Sequence, residues 1–246
     1  MAVRQSSVIG VRGHRGINFQ VEKVILPSVV RRKSRLGPMS LSATRPTLRI
    51  VVLAAGLSLR LGKSKALVRI HGMSLLKRTV RLLDGMSKFP IVVVAPPNAA
   101  RYRVEIMNRP ARMLGNRART AGLASSIHCG LKACKYSSAV LLLPVDLVNL
   151  NRRDTQRLIR RWQGHRRRVV ARDIGATPGS PLVLPKWLYP LRAEVSGDRG
   201  FRDALRNLHN GAVSLVAMPS AALDIDTASD LRNARCSFYR MSASPP

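Results

Sequence analysis

The chain has 246 residues, 46% of them hydrophobic, and carries 43 lysines and arginines against 12 acids, a formal net charge of +31. One sizeable core fits this length, no apolar run reaches the ~18 residues of a membrane span, and the three cysteines form neither a CxxC pair nor an even framework. These numbers argue against a membrane protein or a disulfide scaffold and favour a cytoplasmic protein that attracts polyanions.

Residues 1–47 differ in composition from the rest of the chain. They are basic, include RRKSR at 31–35, and hold Glu22 as their single carboxylate. They lack an apolar segment followed by a small-residue cleavage site, so a secretory signal is not supported. We expect a disordered extension. A transit-like leader, a basic arm and a translation start at Met39 remain alternatives.

From residue 48 onward, predicted strands alternate with predicted helices. LRIVVLA at 48–54 is a continuous apolar run, typical of a strand buried on both faces. Further strands are predicted at 91–97, 139–146, 168–172, 181–185 and 212–218, and helices at 74–86, 122–134, 151–162 and 201–209. Thr227–Asp230 has the form of a capping box that begins a last helix. The alternation predicts a single α/β domain at 48–236 with a doubly wound, mostly parallel sheet, and a tail at 237–246.

The first strand runs directly into the loop AAGLSLRLGKSK at 54–65. Ligands of open α/β sheets sit beyond the carboxyl ends of the strands. Gly56 and Gly62 let the backbone approach a ligand, and successive N–H groups can form an anion nest. Arg60 offers a fork and Lys65 a point charge to phosphate oxygens. Five residues separate the glycines, so this is not a P-loop. The loop predicts a phosphate site, and an ordinary turn in a basic protein is the alternative.

Two acids stand out because the chain has so few. Asp146 ends the apolar run AVLLLPVD, and Asp226 lies in the stretch LDIDT. Mg²⁺ prefers oxygen ligands and is often bound by one or two carboxylates plus phosphates. Asp146 and Asp226 are therefore the candidate metal ligands. Asp224 is either a further ligand or orients its loop, and a turn or helix-cap role is the alternative for Asp146.

The pattern Leu53-Ala54-Ala55-Gly56-x-Ser58-x-Arg60-x-Gly62-x-x-Lys65 resembles the LAAGxSxRxGxxK signature of the MobA-like nucleotidyltransferases, which include molybdenum cofactor cytidylyltransferase and molybdopterin guanylyltransferase. Further matches follow in the family's order over about residues 48–235: GLASSI at 122–127, LLPVD at 142–146, GSP at 179–181, GDRGFR at 197–202 and LDIDTASDL at 223–231. The resemblance implies a Rossmann-like fold of the nucleotide-diphospho-sugar transferase type.

The resemblance also implies an activity and a site. The activity is Mg²⁺-dependent transfer of a nucleoside monophosphate from a nucleoside triphosphate to a phosphorylated acceptor such as molybdopterin, with release of pyrophosphate. Arg60 would hold the β- and γ-phosphates, Lys65 the α-phosphate, and Asp146 with Asp226 the metal. The implied nucleotide-binding residues are Leu53, Ala54, Ala55, Gly56, Ser58, Gly62, Gly122, Ser125 and Ser126. The implied acceptor-side residues are Gly179, Asp198, Arg202 and Asp224.

Two details bear on the substrates. LAAG, with Ala55, is more usual in the cytidylyl branch than in the guanylyl branch, which favours CTP. The family usually follows its metal-binding acid with Gln-Pro, whereas this chain has Leu147 and Val148. Because that glutamine belongs to the acceptor side, the acceptor stays open.

Several alternatives follow from these features. The same chemistry with GTP, or with a sugar phosphate or phospholactate as acceptor, fits the motifs, and a molybdoenzyme or its chaperone is a possible protein partner. A different class is a non-catalytic protein on this fold that binds nucleic acid through its arginine-rich surface, since the charge is +31. The aromatic content of 4% argues against a stacking platform for single strands.

Overall fold

A computed structural model describes residues 46–198, 200–208 and 211–242, with side chains up to residue 235. Nearly all of the predicted extension at 1–47 and part of the predicted tail at 237–246 lie outside these residues. Among the described residues, none of the helices combines the length and apolar character that a bilayer crossing requires.

The described residues contain nine strands and six α-helices, with five 3-10 helices between them. The strands are β1 (Leu48–Leu53), β2 (Arg69–Ile70), β3 (Met73–Ser74), β4 (Ile91–Ala95), β5 (Ala111–Gly115), β6 (Ala139–Pro144), β7 (Val169–Ile174), β8 (Thr177–Pro185) and β9 (Val213–Val216). The helices are α1 (Leu75–Leu83), α2 (Ala100–Ile106), α3 (Leu123–Ala133), α4 (Arg152–Gly164), α5 (Arg202–Arg206) and α6 (Ala228–Ser242).

Seven strands form one sheet in the order β5-β4-β1-β6-β8-β7-β9, and β2 pairs with β3 in a small hairpin. The pairs β1–β4, β1–β6, β4–β5 and β7–β9 are parallel. Strand β8 runs antiparallel to both β6 and β7, so β7 points in the same direction as β6. The predicted doubly wound, mostly parallel sheet is confirmed.

Alternate residues of the central strands enter two separate cores. Ile50 and Val52 of β1 join a core beneath α1, α2, α4 and α6, whereas Val51 and Leu53 join a core beneath α3 and α5. Both faces of the strand are therefore covered by helices, which explains why its sequence is a continuous apolar run.

The element bounds differ from the prediction in places. Helix α2 and strand β5 were not predicted, because the seven residues of α2 are short for a periodic pattern and β5 is a partly exposed edge strand. The strand predicted at 181–185 is the end of the longer β8. Helix α6 continues past the predicted domain boundary at residue 236.

Candidate active site

The phosphate loop at 54–65 and Asp146 lie at the same edge of the sheet. Strands β1 and β6 are parallel neighbours, with Leu53 opposite Pro144. Asp146 follows shortly after the end of β6, as the sequence predicted for an acid at a strand end. Because both strands deliver their carboxyl ends to one point, the loop and the acid share a cavity of about 380 Å³.

The phosphate loop is shaped by left-handed backbone at two positions and by a serine. Ser58 and Gly62 have φ values of 56° and 66°, and they flank a single 3-10 turn at Leu59–Leu61. The Ser58 hydroxyl accepts a hydrogen bond from the backbone N–H of Lys65 at 3.2 Å. This hydrogen bond joins the middle of the loop to its end and fixes the backbone from which the Lys65 side chain extends.

Lys65 joins the two predicted metal-binding acids. Its Nζ lies 3.1 Å from Asp146 Oδ2 and also donates to Asp226 Oδ1. Arg60 Nη2 donates to Asp226 Oδ2 at 2.7 Å. The Lys65 side chain is 18% exposed and that of Arg60 is 72% exposed. Thus the four charged residues predicted to act in catalysis and metal binding meet, with Lys65 enclosed and Arg60 open to solvent.

The charged groups in this cluster shift one another's pKa values. Burial raises the pKa of Asp146, and the charge and hydrogen bond of Lys65 oppose that shift without reversing it. The hydrogen bond from Lys65 holds the pKa of Asp226 below its ordinary value. Burial alone would lower the pKa of Lys65, but the two carboxylates together outweigh it and raise the pKa. At neutral pH Lys65 is therefore a cation held between carboxylates.

The segment around Asp226 is held against the Asp146 loop by backbone pairing. Ile225 N–H donates to the Asp146 carbonyl at 3.2 Å, and Leu147 and Asp224 form an isolated antiparallel bridge. Asp224 is exposed beside this bridge. The pairing explains how acids far apart in sequence reach the same ammonium group.

The predicted capping box at Thr227–Asp230 is confirmed, and it also positions Asp226. Asp230 Oδ2 accepts from the Thr227 N–H at 2.7 Å, and Thr227 Oγ1 accepts from the Asp230 N–H at 3.2 Å. The same Asp230 oxygen accepts from the Asp226 N–H at 3.0 Å. The sequence predicted the cap but not this second role.

Most of the predicted nucleotide-binding residues line the cavity of about 380 Å³, here called the first cavity. Gly62 and Ser125 do not line it. The predicted residues that line it are Leu53, Ala54, Ala55, Gly56, Ser58, Arg60, Lys65, Gly122, Ser126, Asp146, Asp198 and Asp226. Gly62 lines a neighbouring pocket instead. Ser125 does not line the first cavity, and its hydroxyl donates to the Gly122 carbonyl at 2.8 Å. Ser125 thus supports the start of α3.

The start of α3 joins the predicted nucleotide side to the predicted acceptor side. Gly122 has φ +83°, and a Cβ there would lie 2.7 Å from Asp198 Oδ1. That carboxylate oxygen accepts the Leu123 N–H at 3.0 Å. Asp198 therefore caps α3, and Gly122 is required for the close approach of the loop that carries Asp198.

Two further residues, which were not predicted from the sequence, form hydrogen bonds to the segments that line the first cavity. Asn116 is buried, and its Nδ2 donates to Ser125 Oγ at 2.9 Å and to Ser126 Oγ at 3.1 Å. Arg119 donates from Nε to the Ala55 carbonyl at 2.9 Å and from Nη2 to the Gly56 carbonyl at 3.1 Å. The role of Arg119 could not be predicted, because one arginine does not stand out among 43 lysines and arginines.

The predicted acceptor-side residues line a second cavity of about 350 Å³. It includes Gly179, Asp198, Arg202 and Asp224. Asp146 and Asp198 line both cavities. The two cavities therefore meet at the acid predicted to bind the metal, which is the geometry that transfer between two substrates requires.

The carboxylate pair fits a hard divalent cation. Asp146 and Asp226 reach one ammonium group, so a cation in its place could contact both. Among the described residues no cluster of three or more His, Cys, Asp or Glu side chains occurs that could hold a metal. Two carboxylates completed by water and substrate phosphate are typical of Mg²⁺.

The sequence matches a family model and a named relative. The family model "MobA-like NTP transferase domain" matches residues 50–212. A probable molybdenum cofactor guanylyltransferase from Opitutus terrae is 27% identical over 183 residues, which are 72% of this chain and 83% of that protein.

Solved structures share the fold. Rv0371c from Mycobacterium tuberculosis H37Rv superimposes with a TM-score of 0.63 at 21% identity, over 78% of this chain and 99% of that one. Its complex with manganese gives 0.61 at 19% identity, over 78% and 99%. Molybdopterin-guanine dinucleotide biosynthesis protein A from Archaeoglobus fulgidus gives 0.62 at 15% identity, over 78% and 100%.

Proposed function

Since the chain belongs to the MobA-like NTP transferase domain family and is therefore a nucleotidyltransferase, we propose that it transfers a nucleoside monophosphate, CMP by preference, from its triphosphate to the phosphate of molybdopterin or the molybdenum cofactor. The observation that carries this proposal is the Lys65 ammonium between Asp146 and Asp226, beside a glycine-containing loop. It combines cations for phosphate oxygens with carboxylates for a metal.

The reaction is a displacement at the α-phosphorus. An oxygen of the acceptor phosphate forms a bond to that phosphorus, the bond from the α-phosphorus to the bridging oxygen breaks, and its electron pair leaves with pyrophosphate. A phosphate nucleophile is already anionic and needs no general base. Catalysis therefore rests on positioning and on neutralising charge.

The cations of the loop suit two different phosphates. Arg60 is the more exposed of the pair and can leave Asp226 to fork across the β- and γ-phosphate oxygens. Lys65 is enclosed next to Asp146, where the α-phosphate and the acceptor would meet. Asp146 and Asp226 would hold Mg²⁺, which when bound neutralises the phosphate charge. The solved manganese complex of a protein with this fold supports a divalent cation here.

The choice of nucleotide rests on opposing indications. Ala55 lines the first cavity and, by its LAAG context, favours CTP. The Opitutus terrae relative is named a guanylyltransferase, which favours GTP. A comparison of both triphosphates therefore belongs in the first experiment, together with a sugar phosphate and phospholactate as competing acceptors.

Pyrophosphate release by the full chain tests the proposal, with Mg²⁺, each triphosphate and molybdopterin. We expect release with CTP, and a loss on the order of 10²-fold or more in Asp146→Asn. Asp84→Asn is the matched control, because Asp84 pairs with Arg109 at 3.5 Å, outside the residues that line the first cavity. Equal rates in wild type and Asp146→Asn would refute the proposal.

The non-catalytic, nucleic-acid-binding alternative predicts a different pattern. It requires retention of DNA or RNA at physiological salt, whereas general attraction to a +31 chain weakens steeply as salt rises. We expect binding to be lost at physiological salt, because the four convergent charged residues favour a catalytic site.

A further inference from the structure

The second cavity has mostly apolar walls, with charged side chains among them. Leu123, Ile127, Leu142 and Phe201 are among the residues that form its surface. Its charged residues are Asp146, Arg172, Asp198, Arg202 and Asp224. Arg172 was not among the residues predicted from the sequence, and none of the family motifs contains it.

Arg172 reaches this cavity because of the strand order and an irregular register. It lies near the carboxyl end of β7, which points to the same sheet edge as β6 and Asp146. The β7–β8 register shifts between Ala171, which is opposite Leu182, and Arg172, which is opposite Gly179. Such irregularities redirect side chains next to binding sites. Gly179, which was predicted on the acceptor side, thus lies at this shift.

Within the part of the chain that the structure describes, the Arg172 guanidinium has no close anionic partner. It is half-buried, and no hydrogen bond or ion pair reaches it from the side chains described in residues 46–198, 200–208 and 211–235. Burial lowers its pKa, and Asp224 opposes this by charge alone without forming an ion pair. By contrast, Arg119 and Arg157 are held by hydrogen bonds to protein oxygens. A partly desolvated guanidinium gains most from an incoming anion.

We propose that Arg172, which no motif of the sequence singles out, is the residue that binds the phosphate of the acceptor in the second cavity. This inference rests on the proposed function, because it assigns the second cavity to the acceptor. The planar fork of arginine matches two oxygens of a phosphate. The apolar walls bind the rest of the molecule, and the cavity shared with Asp146 places the nucleophilic oxygen beside the α-phosphorus.

Phenyl phosphate is a probe with this chemistry, and isothermal titration calorimetry at physiological salt measures its binding to the full chain. We expect Arg172→Gln to bind it at least about tenfold more weakly than wild type, as for loss of a bidentate charged contact. Arg172→Lys, which keeps the charge and loses the fork, should lie between them. Arg160→Gln is the matched control, because Arg160 is exposed on α4, and it should bind like wild type.

Phenol, which lacks the phosphate, should bind equally weakly to wild type and Arg172→Gln. Equal binding of phenyl phosphate by wild type and Arg172→Gln, or no binding by wild type, would overturn the inference. In the pyrophosphate assay, Arg172→Gln should raise the KM for the acceptor and leave the KM for the triphosphate unchanged. If wild type releases no pyrophosphate yet binds phenyl phosphate through Arg172, the proposed function fails and the anion site stands.

Discussion

Replacement of Lys65 by methionine separates a catalytic role from a structural one. The Lys65 Nζ lies 3.1 Å from Asp146 Oδ2 and also contacts Asp226, so it occupies the position from which a cation would neutralise both carboxylates. Methionine keeps the length of the side chain and removes the charge. In the reaction we expect kcat to fall by about 10²–10³, or ~2.7–4 kcal/mol, as for loss of one donor to developing charge.

Whereas kcat should fall in Lys65→Met, the affinity for Mn²⁺ in the absence of nucleotide should rise. The ammonium competes with a metal for the same carboxylates, so its removal should strengthen Mn²⁺ binding by about 1 kcal/mol, on the order of fivefold. Electron paramagnetic resonance of free Mn²⁺ measures this affinity. Lys63→Met is the control, because Lys63 lies in the same loop and is exposed. A kcat within about threefold of wild type, or weaker Mn²⁺ binding, would refute this reasoning.

Three further predictions concern stability and positioning. Gly122→Ala should destabilise the fold by on the order of 1–3 kcal/mol in urea unfolding, since φ is +83° and the new Cβ would lie 2.7 Å from a carboxylate oxygen. Gly164→Ala is the control, because the space around its Cβ is open. Equal urea midpoints for Gly122→Ala and Gly164→Ala would contradict this prediction. Burial raises the pKa of Tyr189 from 10.0 to about 12, so the folded state keeps a proton that the unfolded state loses, and stability should fall by about 2 kcal/mol as pH rises from 10 to 12. Tyr189→Phe should lack this component, and parallel losses in both proteins would count against it. Asp230→Ala should reduce kcat about tenfold or more by releasing the Asp226 backbone, with a small change in Tm; unchanged kcat would show that the cap does not position the site.

The central fold and the charged cluster were predictable because their signals are local. The apolar runs of β1, β4 and β6 are continuous since both faces are buried, and each is easily seen in sequence. The phosphate loop follows β1 directly, and Asp146 follows β6. In a parallel sheet, those two positions meet without further information.

The rest depends on contacts between segments that are distant in sequence. The role of Asp198 as the cap of α3 joins positions 75 residues apart. The clamp from Arg119 to the Ala55 and Gly56 carbonyls spans a similar distance. Neither contact leaves a periodic pattern, so only the folded chain shows it. Arg172 was hidden for a second reason, because 43 lysines and arginines make any single one inconspicuous.

The fate of the individual phosphates tests the central claim most directly. The full chain is incubated with Mg²⁺, molybdopterin and CTP or GTP labelled either at the α- or at the γ-phosphorus. Nucleotidyl transfer predicts that the α label moves to the pterin product and the γ label leaves in pyrophosphate, with both lost in Asp146→Asn. Appearance of the γ label as inorganic phosphate or on the acceptor, with the α label left in a free nucleotide, would contradict the account.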